Sequence, residues 1–261
     1  MTGTALVTGA ASGIGKAAAL ALKSAGWEVI GTSRTPETVG ADLAGTRFLR
    51  LDLMDENSIA ALLGQVGTVD VLVNSAGASL MSAVEETPVA KIRGLFELIV
   101  FGNVRLMQGV LPGMRAAGRG LIINIGSYAE VTPVPCSSIY AGAKAALHVL
   151  SAGLRQEVRP FGVKIVTVAP TFIKTPIVQE RFCAENSAYA GMIQKAGAVR
   201  DKNIDSGSSP DIVARQILKI VRAKNPASFY PVGKNARLFP VMQRILPERV
   251  REAVIRRHYH L

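Results

Sequence analysis

The chain of 261 residues is 49% hydrophobic and 5% aromatic, and its 30 Lys or Arg against 19 Asp or Glu give a formal net charge of +11. Two cysteines (Cys136 and Cys183) and three histidines (His148, His258 and His260) offer neither a disulfide framework nor a four-ligand zinc pattern, so no metal is expected and the expected compartment is a reducing cytoplasm. No uninterrupted apolar run approaches the roughly 18 to 20 residues of a membrane span, and Met1 leads straight into a strand-like Thr4 to Thr8, so no signal peptide is expected.

The length suits one domain over 1–261, because a core of that size buries most of the surface the unfolded chain exposes. Ala5-Leu6-Val7 opens as a strand, and Thr8 to Gly15 carry the chain into a helical run from Lys16 to Ala25. Gly9, Gly13 and Gly15, with Ser12 and Ile14 among them, make a strand-to-helix turn. Such glycines permit positive φ and let backbone approach a pyrophosphate held at the positive end of the helix. Glu28-Val29-Ile30 forms the second strand, which ends in Ser33-Arg34, where an NAD-selective site places an acid on the ribose hydroxyls. No acid stands there. Arg34 and Ser33 suit a 2′-phosphate instead, so the expected cofactor is NADP(H).

Further strands are expected at Arg47–Leu49, Val69–Val73, Leu121–Ile125 and Val163–Val168. They are mostly continuous apolar runs, as strands buried on both faces require, and with the helices between them they indicate a Rossmann-type, doubly wound parallel α/β sheet. Tyr140 and Lys144 stand four apart in a segment that reads as helix from Ser138, so they share one face. A phenol is a poor acid or base at neutral pH, and an ammonium beside it favours the phenolate, which suits proton exchange with a substrate oxygen.

Between 175 and 208 the pattern weakens, with Phe182, Tyr189, Met192 and Ile193 scattered among polar residues, and the segment is read as a cover over the substrate. Ser209-Pro210-Asp211 begins a helix toward Lys224, and Pro247-Glu248 begins another whose apolar face is expected to hold Leu246, Val250, Ala253 and Val254. From Val199 to Leu261 there are 13 Lys or Arg against 5 Asp or Glu, and 234–261 reads as a basic, amphipathic C-terminal helical extension. That charge suits a solvated surface, a phosphate-bearing substrate, an acidic carrier protein or contact with an anionic membrane surface. Nucleic acid is not an expected partner, since the chain shows no binding module and few aromatics for base stacking.

Thr8-Gly-x-x-x-Gly-Ile-Gly15, Asn74-Ser75-Ala76-Gly77, Ser127, Tyr140-x-x-x-Lys144 and Pro170 to Thr175 follow the order of the short-chain dehydrogenase/reductase signature, which the chain resembles closely from Thr4 to Thr175 and loosely beyond. The resemblance implies that Ser127 hydrogen-bonds a substrate carbonyl, Tyr140 moves the proton, and Lys144 also holds the nicotinamide ribose. It further implies that Asp52 lies beside the adenine, that Asn74, Ala76 and Gly77 shape the cofactor wall, and that Pro170, Ile173 and Thr175 lie along the carboxamide. A homodimer or homotetramer is implied as well.

Three positions depart from that pattern. The usual catalytic asparagine falls on Ile99, with Asn103 one turn away as a stand-in; Ser75 replaces an asparagine; and Thr171 replaces a glycine. His148, two turns past Tyr140, reads as a packed or surface histidine, and Cys136 as a small core or loop residue. The stretch Tyr230 to Arg237 with its basic tail resembles the branch holding hydroxysteroid and retinol dehydrogenases and acyl-dihydroxyacetone-phosphate reductases, which implies a bulky hydrophobic carbonyl or alcohol substrate. Reduction of a ketone or aldehyde is the leading expectation. A non-redox isomerase, cyclase or dehydratase is the alternative, and an NADP-binding scaffold without turnover ranks third.

Overall fold

The computed structural model describes residues 3–177, 179–236 and 245–259. Its strands are β1 (Thr4–Val7), β2 (Glu28–Ser33), β3 (Arg47–Arg50), β4 (Val71–Asn74), β5 (Ser79–Met81), β6 (Gly120–Ile125), β7 (Val163–Pro170), β8 (Gln179–Arg181) and β9 (Phe229–Val232). Seven form one parallel sheet in the order β3-β2-β1-β4-β6-β7-β9, while β5 and β8 pair separately. The chain therefore winds outward from β1 to β3, returns to the middle at β4, and winds outward the other way. At the β1/β4 switch the loops leave in opposite directions and open a crevice at the carboxyl ends of the strands.

The helices are α1 (Gly13–Ser24), α2 (Glu56–Val66), α3 (Val89–Phe96), α4 (Gly102–Ala116), α5 (Ser138–Val158), α6 (Ala190–Asp205), α7 (Asp211–Arg222) and α8 (Glu248–His258). Alternate residues of each strand face opposite sides of the sheet. On one side Ala5, Val7, Val73, Ile123 and Val166 pack under Ala18, Leu22, Val213 and Ile217 of α1 and α7. On the other, Leu6, Leu72, Ile122 and Ile165 pack under Leu62, Leu106, Met107 and Leu147 of α2, α4 and α5. Val89–Ala116 is long and apolar enough by composition to cross a membrane, yet Leu95, Ile99, Leu106, Val110 and Met114 bury it in this core. Between α3 and α4 a π-helical turn, Glu97–Phe101, takes up one extra residue.

The parallel architecture and the six expected strands are present, with β4 starting two residues later than expected and ending one later. Three further strands were not foreseen. β5 and β8 have three residues each, too few to show a period. β9 contains Pro231, which argues against a central strand and is tolerated because β9 is an edge. The weakly patterned 175–208 stretch holds β8 and the 16-residue α6. In α8 the expected apolar face is not the packed one. Val250 and Val254 are exposed, and Ile255 and Tyr259 lie against Met81, Cys136 and Ile193 instead.

Candidate active site

Three loops meet at the crevice. Thr8 Oγ1 accepts hydrogen bonds from the Ser75 and Ala76 N–H groups at 2.9 and 3.0 Å, tying the end of β1 to the end of β4. Gly9 adopts φ +64°, and a Cβ on it would stand 3.0 Å from the Ala76 Cα. Gly13 faces the third loop, where the Thr175 side chain would lie 3.3 Å from an added Cβ. Ile173 anchors that loop by pairing with Ser208. Ser12 gives α1 no side-chain cap and its first turn holds no acid, so its leading N–H groups, at Gly13, Ile14 and Gly15, remain for an anion.

At the β2 end Ser33 is half-buried and Arg34 exposed, and among the described residues Arg34 has no ion-pair partner. The Asp52 carboxylate, just past β3, accepts the Met54 N–H at 2.9 Å. Asn74 is buried, and its amide donates to Asn124 Oδ1 at 2.8 Å, which ties the end of β4 to β6 just before Ala76 and Gly77. A glycine-rich cradle, an uncapped helix end and a cation at the end of the neighbouring strand fit a dinucleotide carrying an extra phosphate.

Lys144 is buried, and its Nζ donates to the Ile125 carbonyl at 2.7 Å, two residues before Ser127. A Cβ on Gly77 would lie 3.8 Å from that Nζ, which puts the ammonium against the crevice wall. Tyr140, one turn earlier on the same face of α5, is half-buried. Ser127 Oγ accepts the Ala129 N–H at 3.2 Å, which leaves its own hydrogen free to donate. The end of β6 and the first two turns of α5 thus bring the three expected residues to the crevice.

Two residues stand there with no role expected from the sequence. Glu130 closes a capping box with Ser127, accepting the Ser127 N–H at 3.2 Å, and its side chain is fully enclosed. Its other oxygen faces His148 Nδ1 at 3.5 Å. Burial pushes the Glu130 carboxyl up to about 7, with the Ser127 N–H and the Lys144 ammonium opposing the rise. Burial also pulls the His148 imidazole down. The Ser127-x-x-Glu130 spacing was the available signal for the capping box.

The raised Glu130 value links to stability. From the ordinary carboxylate value of 4.5 up to about 7 the folded protein keeps a proton that the unfolded chain releases, so this contribution is full below 4.5 and lost as pH rises through 7. The loss amounts to about 3 kcal/mol. Urea unfolding of the native protein at about pH 5 and about pH 8 should show that decline, and Glu130→Gln, which cannot ionise, should lack it. Equal slopes for the two proteins would contradict it.

Near Tyr140 the 175–208 segment presents Arg200 on α6. Its guanidinium donates to Ser79 Oγ at 2.7 Å and lies within electrostatic reach of Tyr140 and Tyr259. Burial pulls Arg200 down, and the two phenols partly offset this. The neighbouring Asp201 pairs with Arg181. Beside Arg200, Met81, Cys136, Ile193, Ala196 and Tyr259 form an apolar wall. Of the departures, Ile99 is fully buried in the π-helical turn, and the Asn103 amide donates to the Ile99 carbonyl at 2.8 Å. Thr171 turns to β9, its Oγ1 donating to the Lys234 carbonyl at 3.3 Å.

Residues 3–186 match the short chain dehydrogenase family. The chain is 33% identical to a 3-ketodihydrosphingosine reductase from Bacteroides thetaiotaomicron, over 97% of both chains. It is 35% identical to a very-long-chain 3-oxoacyl-CoA reductase from Coprinopsis cinerea, over 68% of this chain and 56% of that one. A solved short-chain dehydrogenase from Streptomyces avermitilis superposes with a TM-score of 0.83 at 35% identity, over 97% of this chain and 96% of the other. With the glycine turn, the switch-point crevice and the Tyr140–Lys144 helix in place, these likenesses settle the family: the chain belongs to the short-chain dehydrogenases, oxidoreductases acting on CH–OH and C=O groups.

Proposed function

We propose that the protein is an NADP(H)-dependent carbonyl reductase for a ketone or aldehyde on a long, hydrophobic molecule. The observation that carries this reading is Lys144, buried at the end of β6 beside Ser127 and one turn from Tyr140. The cofactor, when bound, supplies the hydride. Gly9, Ser12, Gly13, Ile14 and Gly15 hold its pyrophosphate and Arg34 with Ser33 its 2′-phosphate. Asp52 lies toward the adenine, Ala76 and Gly77 form the wall that Asn74 supports, and Pro170, Ile173 and Thr175 border the nicotinamide. Ser127 donates to the carbonyl oxygen, Tyr140 gives that oxygen its proton, and the Lys144 cation stabilises the phenolate left behind.

The apolar wall at Met81, Ile193 and Tyr259 suits a chain, and the names of two relatives describe 3-keto and very-long-chain 3-oxoacyl substrates. Arg200 above Tyr140 favours an electronegative group near the carbonyl over a cationic one. Consumption of NADPH should be followed with steroid, retinoid, long-chain and phosphorylated ketones. Long-chain ketones with an acidic or neutral head should be reduced fastest. Product formed without NADPH consumption would replace the reading with a non-redox isomerase, cyclase or dehydratase.

Arg34→Ala should raise the KM for NADPH about thirty-fold, worth about 2 kcal/mol for a charge-assisted pair, and leave the KM for NADH nearly unchanged. Equal effects on both would remove Arg34 from the 2′-phosphate. Exposed Val89, Phe101, Val149 and Leu150 on α3 to α5 offer a surface for a homodimer or homotetramer. The exposed Val250 and Val254, with Arg249, Arg256 and Arg257 on α8, suit a membrane surface.

A further inference from the structure

Each reduction uses one proton at Tyr140, and the phenolate must be reprotonated before the next turnover. The residues near the π-helical turn do not offer a ready path: Ile99 is apolar and buried, and the Asn103 amide is held by the Ile99 carbonyl. On the opposite side of the site, Tyr140, Lys144 and His148 recur every four residues along α5 and form one stripe. Glu130 is packed against that stripe, with one oxygen on the Ser127 N–H and the other 3.5 Å from His148 Nδ1. Those two facing atoms are both buried, and among the described residues neither has another hydrogen-bond partner. A proton held between them satisfies both.

Behind His148 lies a pocket of about 100 Å³, lined by His148, Ser151, Arg155, Thr167, Ser228 and Phe229. It has room for a few waters, and the His148 side chain is 28% exposed. We propose that Glu130 and His148 form a proton relay that resupplies the Tyr140–Lys144 pair from solvent through this pocket. The inference rests on the reductase reading above.

The step balances as follows. The hydride, with its two electrons, passes from NADPH to the carbonyl carbon. The Tyr140 O–H bond breaks and its proton joins the substrate oxygen. The phenolate takes a proton from the Lys144 ammonium, and Lys144 takes one from the Glu130 carboxyl. The His148 ring, neutral at rest, then takes a proton from pocket water and passes one to the Glu130 carboxylate, which returns both groups to their starting states. One solvent proton enters per NADPH oxidised. The charged groups facing the relay are Lys144 on the catalytic side and Arg155 on the pocket side. Arg155 is held by the Ile165 and Pro226 carbonyls at 2.5 and 2.7 Å. From β7 and the β9 edge the pocket receives only the uncharged Ile165, Thr167, Ser228 and Phe229. Burial raises the carboxyl and lowers the imidazole, so the shared proton rests on Glu130, the member of the pair on the Lys144 side.

The test uses the full chain with NADPH and the best ketone from the panel. Wild type, Glu130→Gln, His148→Ala and Tyr140→Phe are compared from about pH 5.5 to about pH 9, with first-turnover and steady-state rates measured separately. Wild-type kcat should fall as pH rises past neutrality, where the pair loses its proton. In Glu130→Gln and His148→Ala that inflection should vanish and steady-state turnover at about pH 6.5 should drop about ten-fold. The first turnover should be nearly unchanged, because Tyr140 starts protonated, and imidazole in the buffer should restore turnover to His148→Ala. Retention of the wild-type inflection in both variants would overturn the relay. So would an equal loss in the first turnover, which would leave Glu130 only holding Ser127 in place. Wild-type activity in Tyr140→Phe would instead sink the reductase reading itself.

Discussion

Replacing Tyr140 with phenylalanine should lower kcat about a thousand-fold, or about 4 kcal/mol, while changing NADPH affinity by less than about three-fold. The ring keeps its half-buried place on α5, and only the hydroxyl proposed to deliver the proton is lost. Lys144 still bonds to Ile125, so the wall beside Gly77 should keep its shape. Absorbance at the reduced-nicotinamide band gives the rate, and titration of the cofactor's fluorescence gives the affinity. A variant that turns over within ten-fold of wild type, a smaller loss than the roughly hundred-fold minimum a general acid contributes, would remove Tyr140 from the proton step. A variant that loses binding and rate together would mean that the hydroxyl shapes the cofactor site.

Gly15→Ala should cost about 2 to 3 kcal/mol of stability and weaken cofactor binding at least about ten-fold. A Cβ at Gly15 would stand 2.3 Å from the Gly9 carbonyl oxygen and 3.0 Å from that of Thr8. Both are backbone atoms, so relief requires the glycine turn to move away from α1, and that turn is where the proposed pyrophosphate site lies against the helix end. Gly64→Ala in α2 is the control. Its Cβ would meet nothing within 4 Å, and alanine there should stabilise the helix by about 0.5 to 1 kcal/mol. Denaturant unfolding of both variants, with NADPH titration, separates the two outcomes. Wild-type stability in Gly15→Ala would show that the turn can yield without cost.

The glycine turn and the Tyr140–Lys144 pair were legible because each depends on residues close in sequence. Local steric freedom fixes the first, and the helical repeat fixes the second. The central strands were legible because burial on both faces demands unbroken apolar runs, as in Leu121–Ile125. His148 was set aside as packed or surface, since nothing within its own helix gives it a carboxylate partner. Glu130 lies eighteen positions earlier, and only the return of the chain from β6 into α5 brings the two to 3.5 Å.

Arg200 is similar. On its helix it reads as one charge in a basic stretch, and it reaches the catalytic face because α6 folds over β5 and donates to Ser79. Which side of α8 packs was also a tertiary matter. Its sequence offers Val250 and Val254 as well as Ile255 and Tyr259, and the wall at Met81, Cys136 and Ile193 took the second pair. By itself the sequence determined six of the seven strands of the main sheet, the glycine turn and the Tyr140–Lys144 helix, because each is encoded by short-range periodicity and backbone permission. Only the tertiary structure decided which distant charges meet in the site, because those contacts are set by the packing of layers and leave no period in the chain.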